Sequence, residues 1–320
     1  MAFSIILTIF LVIAIIIAFG IGANDETFAG LYGSRILKMK QIMILASILA
    51  ITGAFILGEA VSKTVGNDIL LSIDDGIVIT ILISTAIWLI LSSALGLPIS
   101  TTHATIGAII GLGITPIVSI RWEVIVELSL WWVLSPIIGF FVSFFVYKLM
   151  RYYKLKHLKG FQSYEKTEKL FSYIVLIVIF ITAFSRAGND CSNAVGIVVG
   201  KGGIQINLLL LLTGLSLAGG LLVLGRGVIK NVGRITELYP STAFATQIPT
   251  AVILFLGTAL GIPLSGSHML VASLVGLSKA SHSPIKKGLW KIVLIWLLTF
   301  PMAGILSIIL YFPISAFLIP

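Results

Sequence analysis

The sequence predicts an all-α, polytopic membrane protein built from two inverted-topology repeats, with broken helices or re-entrant hairpins in each. Four observations predict it. Apolar residues fill 58% of the 320 positions and charged residues only 10%, where a soluble chain carries about 25% charge. Apolar runs of roughly 18 or more residues recur along the whole length, enough to cross a bilayer as helices. The alternating ten-residue strands of an outer-membrane barrel are absent from the sequence. Finally, the chain repeats itself at an offset of 165 residues. Gly22-Ala23-Asn24-Asp25 returns as Ala187-Gly188-Asn189-Asp190, and Gly96-Leu97-Pro98-Ile99-Ser100-Thr101-Thr102-His103 returns as Gly261-Ile262-Pro263-Leu264-Ser265-Gly266-Ser267-His268.

Each predicted element has its own reason. Residues 3–20 lack a basic segment before them and a cleavage site before Asn24, so they read as a retained first helix. That helix is predicted to run to residue 33 with a break at Gly22–Asp25. Helix 41–62 returns to an acidic loop at 63–75 carrying Asp68, Asp74 and Asp75. Residues 76–97 and 100–114 form a pair broken at Pro98, and residues 124–150 lead into a basic linker. In the second half, 170–199 is expected to break at Gly188–Asp190 and 207–224 to return. There 243–261 pairs with 266–278 across Pro263, and 289–312 closes the chain. The predicted organisation is repeat one over 1–150, a linker over 151–169, and an inverted repeat two over 170–320.

The net charge of +9 is distributed as a membrane protein distributes it, which argues against a nucleic-acid partner. Of 21 Lys and Arg, 17 lie in the segments 34–41, 148–169, 225–237 and 279–291. This positive-inside pattern puts those four segments in the cytoplasm and both termini outside. Loops matched by the repeat differ in charge: basic 34–41 faces sparse 200–206, and acidic 63–75 faces basic 225–237. Opposite charge at matched loops is the mark of an inverted repeat, whose site is expected at the repeat interface near the midplane. Cys191 is the only cysteine, so no intrachain disulfide exists, and it reads as a small packing residue.

The paired motifs carry the chemistry. An ionised Asp at the end of an apolar helix is costly unless paired or coordinated. Asn24 with Asp25, and Asn189 with Asp190, offer amide and carboxylate oxygens suited to a small cation. Asp25 and Asp190 could alternatively accept the proton of a monohydrogen oxyanion. Ser100, Thr101 and Thr102 open a helix after Pro98, and Ser265, Gly266 and Ser267 open another after Pro263. Free N–H groups, hydroxyls and the helix dipole there favour an anion. Two such tips facing each other would hold a tetrahedral oxyanion. His103 and His268 sit three residues into their helices, with packing and functional roles both open. Arg186 has no repeat partner and could offset a nearby acid or touch the anion. No Ser-His-Asp set and no zinc spacing occurs within one half, which argues against an enzyme.

These motifs resemble the inorganic phosphate transporter (PiT) family: Gly-Ala-Asn-Asp, Gly188-Asn189-Asp190 followed by Ser192-Asn193-Ala194, and two Gly-x-Pro-x-Ser-x-x-His segments. The resemblance covers nearly the whole chain. It implies symport of inorganic phosphate with Na⁺ or H⁺, an elevator-like movement, and a homodimer in the plasma membrane. It also implies that Asn24, Asp25, Asn189 and Asp190 serve cation and substrate, with Na⁺ at Asp25 and Asp190. Ser100, Thr101, Thr102, Ser265 and Ser267 match its phosphate-binding helix starts. Apart from the coupling ion, no cofactor is implied. The chain departs from the family's pattern at Ala50, Gln247, Gly266 and Glu26-Thr27-Phe28, which keeps a sulfate permease of the same family as the alternative.

Overall fold

A computed structural model describes residues 5–94, 99–234, 237–284 and 289–318. Pro98, where the first hairpin break was expected, lies outside the described residues. The described elements are α1 (Ile5–Ala23), α2 (Ala29–Gly33), α3 (Met39–Lys63), α4 (Asp75–Ala94), α5 (Thr101–Gly113) and α6 (Trp122–His157), then α7 (Phe161–Lys201), α8 (Ile206–Gly220), α9 (Arg226–Val232), α10 (Pro240–Ala259), α11 (Gly266–Ser281) and α12 (Leu289–Leu318). Two π-helical turns, Thr64–Asp68 and Leu221–Gly225, extend α3 and join α8 to α9. Among the described residues, eight helices are long and apolar enough to cross a membrane.

The membrane reading is carried by which apolar residues face outward. On α1, Phe10, Ala14, Ile17, Ala18 and Ile21 are buried at helical spacing, while Ile9, Val12 and Ile16 lie on the exposed side. At 1.5 Å per residue its 19 residues span about 28 Å. Phe141 and Phe145 on α6, and Ile305, Ile309 and Phe312 on α12, are likewise exposed. Water would penalise so much contiguous apolar surface, whereas lipid does not.

Polar contacts sort the loops into two ends. At one end Arg234 donates to the Tyr32 hydroxyl (3.2 Å), and Lys154 pairs with Glu168 while also donating to Ser241 (2.6 Å). At the other end Lys201 pairs with Asp75 (2.8 Å), and Arg121 donates to the Asp68 carbonyl (3.1 Å). The basic segment 225–237 thus reaches Tyr32, just before the basic 34–41, the basic linker reaches the start of α10 at Ser241, and the acidic 63–75 loop meets the sparse segments at Lys201 and Arg121.

Helix pairing is reciprocal between the halves. Helix α3 packs along α7, and α8 packs along α1; α5 packs on α12, and α11 on α6. The α1–α8 contact requires glycine on both sides. A Cβ on Gly22 would lie 1.9 Å from the Leu217 carbonyl oxygen, and one on Gly220 would lie 1.9 Å from that of Phe19. Close approach of small residues replaces the hydrophobic drive that helices lack in lipid.

Two expectations are corrected. Helix α7 does not break at Gly188–Asp190; it runs unbroken for 41 residues. The first copy does break, after Ala23, because Asp25 Oδ1 accepts from Thr27 N–H (2.9 Å) and Thr27 Oγ1 (2.6 Å), turning the chain. In the second copy the residue two past the Asp is Ser192. Its hydroxyl turns back to the Gly188 carbonyl (2.7 Å), the bond a helical Ser makes. The linker also differs in form: α6 extends to His157 and α7 starts at Phe161, so only Leu158–Gly160 separate them.

Candidate functional site

The second helix pair is interrupted between Ala259 and Gly266, and the residues there are positioned by Asn189 from α7. Asn189 Nδ2 donates to Thr258 Oγ1 (3.1 Å) and to the Ile262 carbonyl (3.0 Å), and its Oδ1 accepts from Leu264 N–H (3.1 Å). Trp132 Nε1 on α6 donates to the Pro263 carbonyl (2.8 Å). The interrupted chain therefore has its backbone groups answered from two neighbouring helices, as burial demands.

Both short helices start with the same cap. Ser100 Oγ accepts from His103 N–H (3.2 Å), and Ser265 Oγ accepts from His268 N–H (3.3 Å). The two starts are tied to each other. Thr102 Oγ1 donates to the Leu264 carbonyl (3.0 Å), and Ser267 Oγ lies 3.4 Å from the Ile99 carbonyl. These two bonds are each other's image under the 165-residue offset. They bring the positive ends of α5 and α11 side by side, each with first-turn N–H groups that have no intrahelical acceptor. Asn193 on α7 adds to the cradle, donating to Thr101 Oγ1 (3.3 Å) and Thr102 Oγ1 (3.1 Å).

Beside these tips lies a buried charge cluster. Arg186 Nε donates to Asp190 Oδ2 (2.9 Å) and its Nη1 to Glu26 Oε1 (2.9 Å), with Asp25 Oδ1 at 3.5 Å. Nη1 also donates to Thr27 Oγ1 (3.2 Å), and Nη2 to Ser267 Oγ (2.9 Å). Asp25 and Asp190, distant in sequence, thus share one guanidinium. Asn24, at the end of α1, is buried next to them.

His103 and His268 come together with ring centroids 4.4 Å apart, among Trp132, Phe300 and Trp296. Both ring nitrogens of His103 are buried without a hydrogen-bond partner, so neither forms the His–Asp pair a hydrolase would use. Cys191 is fully buried, with its thiol 2.7 Å from Thr213 Oγ1, as a packing residue would be.

Two residues of this site are given no role by the sequence alone. Glu26, unmatched in the second half, is fully buried and paired with Arg186. Asn193 entered only as part of the family motif. The signal for Glu26 was available: a lone Arg in an apolar helix requires acidic partners, and Asp190 at i+4 supplies only one.

The Phosphate transporter family profile matches residues 21–307, which includes every residue of this site. The chain belongs to the phosphate transporter family. A "Putative phosphate permease" of Thermococcus kodakarensis is 27% identical over an alignment covering 94% of this chain and 97% of that protein. The sulfate permease of Bacillus subtilis is 29% identical, covering 83% of this chain and 75% of that protein. A solved structure described as "The sodium-dependent phosphate transporter" superposes with a TM-score of 0.85 at 25% identity, covering 99% of this chain and all of that one. Members of this family are transporters rather than enzymes.

Proposed function

We propose that this chain is an ion-coupled symporter for inorganic phosphate. One observation carries the reading: the reciprocal Thr102–Leu264 and Ser267–Ile99 contacts place two donor-rich helix starts beside Asp25 and Asp190. The anion is held between Ser100, Thr101 and Thr102 on one side and Ser265, Gly266 and Ser267 on the other. Asn24 and Asn189 flank them, the latter by setting the position of Leu264. The carboxylates of Asp25 and Asp190 provide hard oxygens for the coupling cation, Na⁺ or H⁺. Sodium is favoured by the name of the structural neighbour. His103 and His268 pack the two tips together.

In this reading residues 1–150 and 170–320 are inverted repeats joined by 151–169, and one part of the molecule moves against the other in an elevator-type cycle. The protein works as a homodimer in the plasma membrane, with basic segments in the cytoplasm and both termini outside. Uptake of radiolabelled phosphate into proteoliposomes, with and without Na⁺ or pH gradients, is the test. Saturable, gradient-driven uptake supports the reading, and no uptake under any gradient rejects it.

A sulfate carrier is the second reading, favoured by the B. subtilis relative. The carboxylates weigh against it: hydrogen phosphate has an O–H to donate to Asp25 or Asp190, whereas sulfate at neutral pH has none. Competition by unlabelled sulfate in the same assay separates the two.

A further inference from the structure

The two halves differ at three matched positions that turn out to touch one another. Arg186 stands where the first half has Ile21, Glu26 where the second has Cys191, and Gly266 where the first has Thr101. Glu26 Oε1 accepts from Arg186 Nη1 at 2.9 Å. A Cβ on residue 266 would lie 3.0 Å from Arg186 Cδ and 3.1 Å from Nε, so the threonine of the first half would crowd the guanidinium. The three departures from symmetry are therefore a single adaptation, made to seat one cation among the carboxylates.

We infer that Arg186 is a tethered cation that stands in for one coupling ion at the Asp25–Glu26–Asp190 cluster. A guanidinium does not deprotonate in proteins, so this positive charge is permanent. It holds an oxygen of each carboxylate: Asp190 Oδ2 at 2.9 Å, Glu26 Oε1 at 2.9 Å and Asp25 Oδ1 at 3.5 Å. A free cation bridging Asp25 and Asp190 would have to compete with it. One fixed charge against three carboxylates leaves the buried cluster short by two, and that deficit sets how many ions the site draws from solution. The inference deepens the symport reading and rests on it in taking Asp25 and Asp190 as the cation site.

The test varies the charge of the cluster and reads its demand for Na⁺. Arg186→Gln makes the cluster more negative by one, Glu26→Gln makes it less negative by one, and Glu26→Gln/Arg186→Gln restores the original balance. Purified, phosphate-free protein is melted in NaCl against choline chloride. The Na⁺-induced rise in Tm is expected to be smallest in Glu26→Gln, intermediate in the wild type and the double variant, and largest in Arg186→Gln. Arg186→Lys, which keeps the charge, is expected to match the wild type. In proteoliposomes the apparent order of phosphate uptake in Na⁺ is expected to be higher by one in Arg186→Gln. Equal Na⁺ shifts in the wild type and Arg186→Gln overturn the inference. Should Arg186→Gln not fold, an unchanged shift in Glu26→Gln overturns it alone. Absence of phosphate uptake by the wild type would instead reject the symport reading, leaving the melting result to be judged separately.

Discussion

Replacing Asn189 by Ala separates two roles that one residue could play, ion ligand or loop anchor. The side chain makes three hydrogen bonds, to Thr258 Oγ1, the Ile262 carbonyl and the Leu264 N–H, all at 3.0–3.1 Å. Leu264 is buried at 1% exposure, so its N–H would be left without a partner, at a cost of about 1–3 kcal/mol. Losing the two donated bonds adds about 1 kcal/mol each, since the Thr258 hydroxyl keeps its own bond to the Leu254 carbonyl at 2.7 Å. The expected loss is about 3–5 kcal/mol. For a chain of this size that corresponds to a fall in Tm on the order of 5 °C or more. Melting of the purified protein in choline chloride, free of phosphate, is the measurement, because no ligand is then present to be lost. A variant that melts like the wild type there, yet responds less to Na⁺ or phosphate, would refute the anchor role and make Asn189 a ligand only.

Other perturbations probe the remaining contacts. Thr102→Val and Ser267→Ala each cut one tie between the facing helix starts, so each is expected to cost about 1 kcal/mol, lower Tm and raise the KM for phosphate by loosening the tips; an unchanged Tm and KM in both would show that the ties do not hold the site. Gly22→Val forces a Cβ to within 1.9 Å of the Leu217 carbonyl oxygen, a backbone atom that cannot turn aside, so α1 and α8 must part. Size-exclusion profiles should show loss of monodisperse protein, whereas Gly227→Ala, with nothing within 4 Å of the added Cβ, should not. Lys154→Ala leaves Glu168, 13% exposed, without its cation and should lower Tm while leaving the KM for phosphate unchanged, the pair lying at the basic end away from the helix tips.

How much of this was legible in the letters depends on which force decides each feature. Bilayer spans were legible because lipid imposes one simple rule, apolar length, on every helix that crosses it. Charge predicts a grouping of the loops, and the contacts seen at them are Arg234 with Tyr32 and Lys201 with Asp75. The helix starts at Ser100 and Ser265 were legible too, since Pro followed by a hydroxyl residue is a local signal. What the motif could not reveal is that the same Asn-Asp pair ends one helix and continues another. That outcome is set two residues downstream, where Thr27 donates to the Asp25 carboxylate and Ser192 donates to the Gly188 backbone carbonyl. Thr and Ser differ too little for a propensity to separate them.

The repeat also explains why the centre of the site was the hardest part to read. Matching the halves directs attention to what they share, and the shared residues build the scaffold: caps at Ser100 and Ser265, cross-ties at Thr102 and Ser267. Hydrogen phosphate, with one oxygen protonated, has no two-fold axis of its own, so the groups that distinguish its protonated side are expected among the mismatches. Glu26, Arg186 and Gly266 are mismatches, and they meet at a single guanidinium 2.9 Å from a hydroxyl of the second helix start. In a duplicated transporter the departures from symmetry deserve the closer reading, because symmetry alone accounts for the frame that holds the ion and not for which ion it holds.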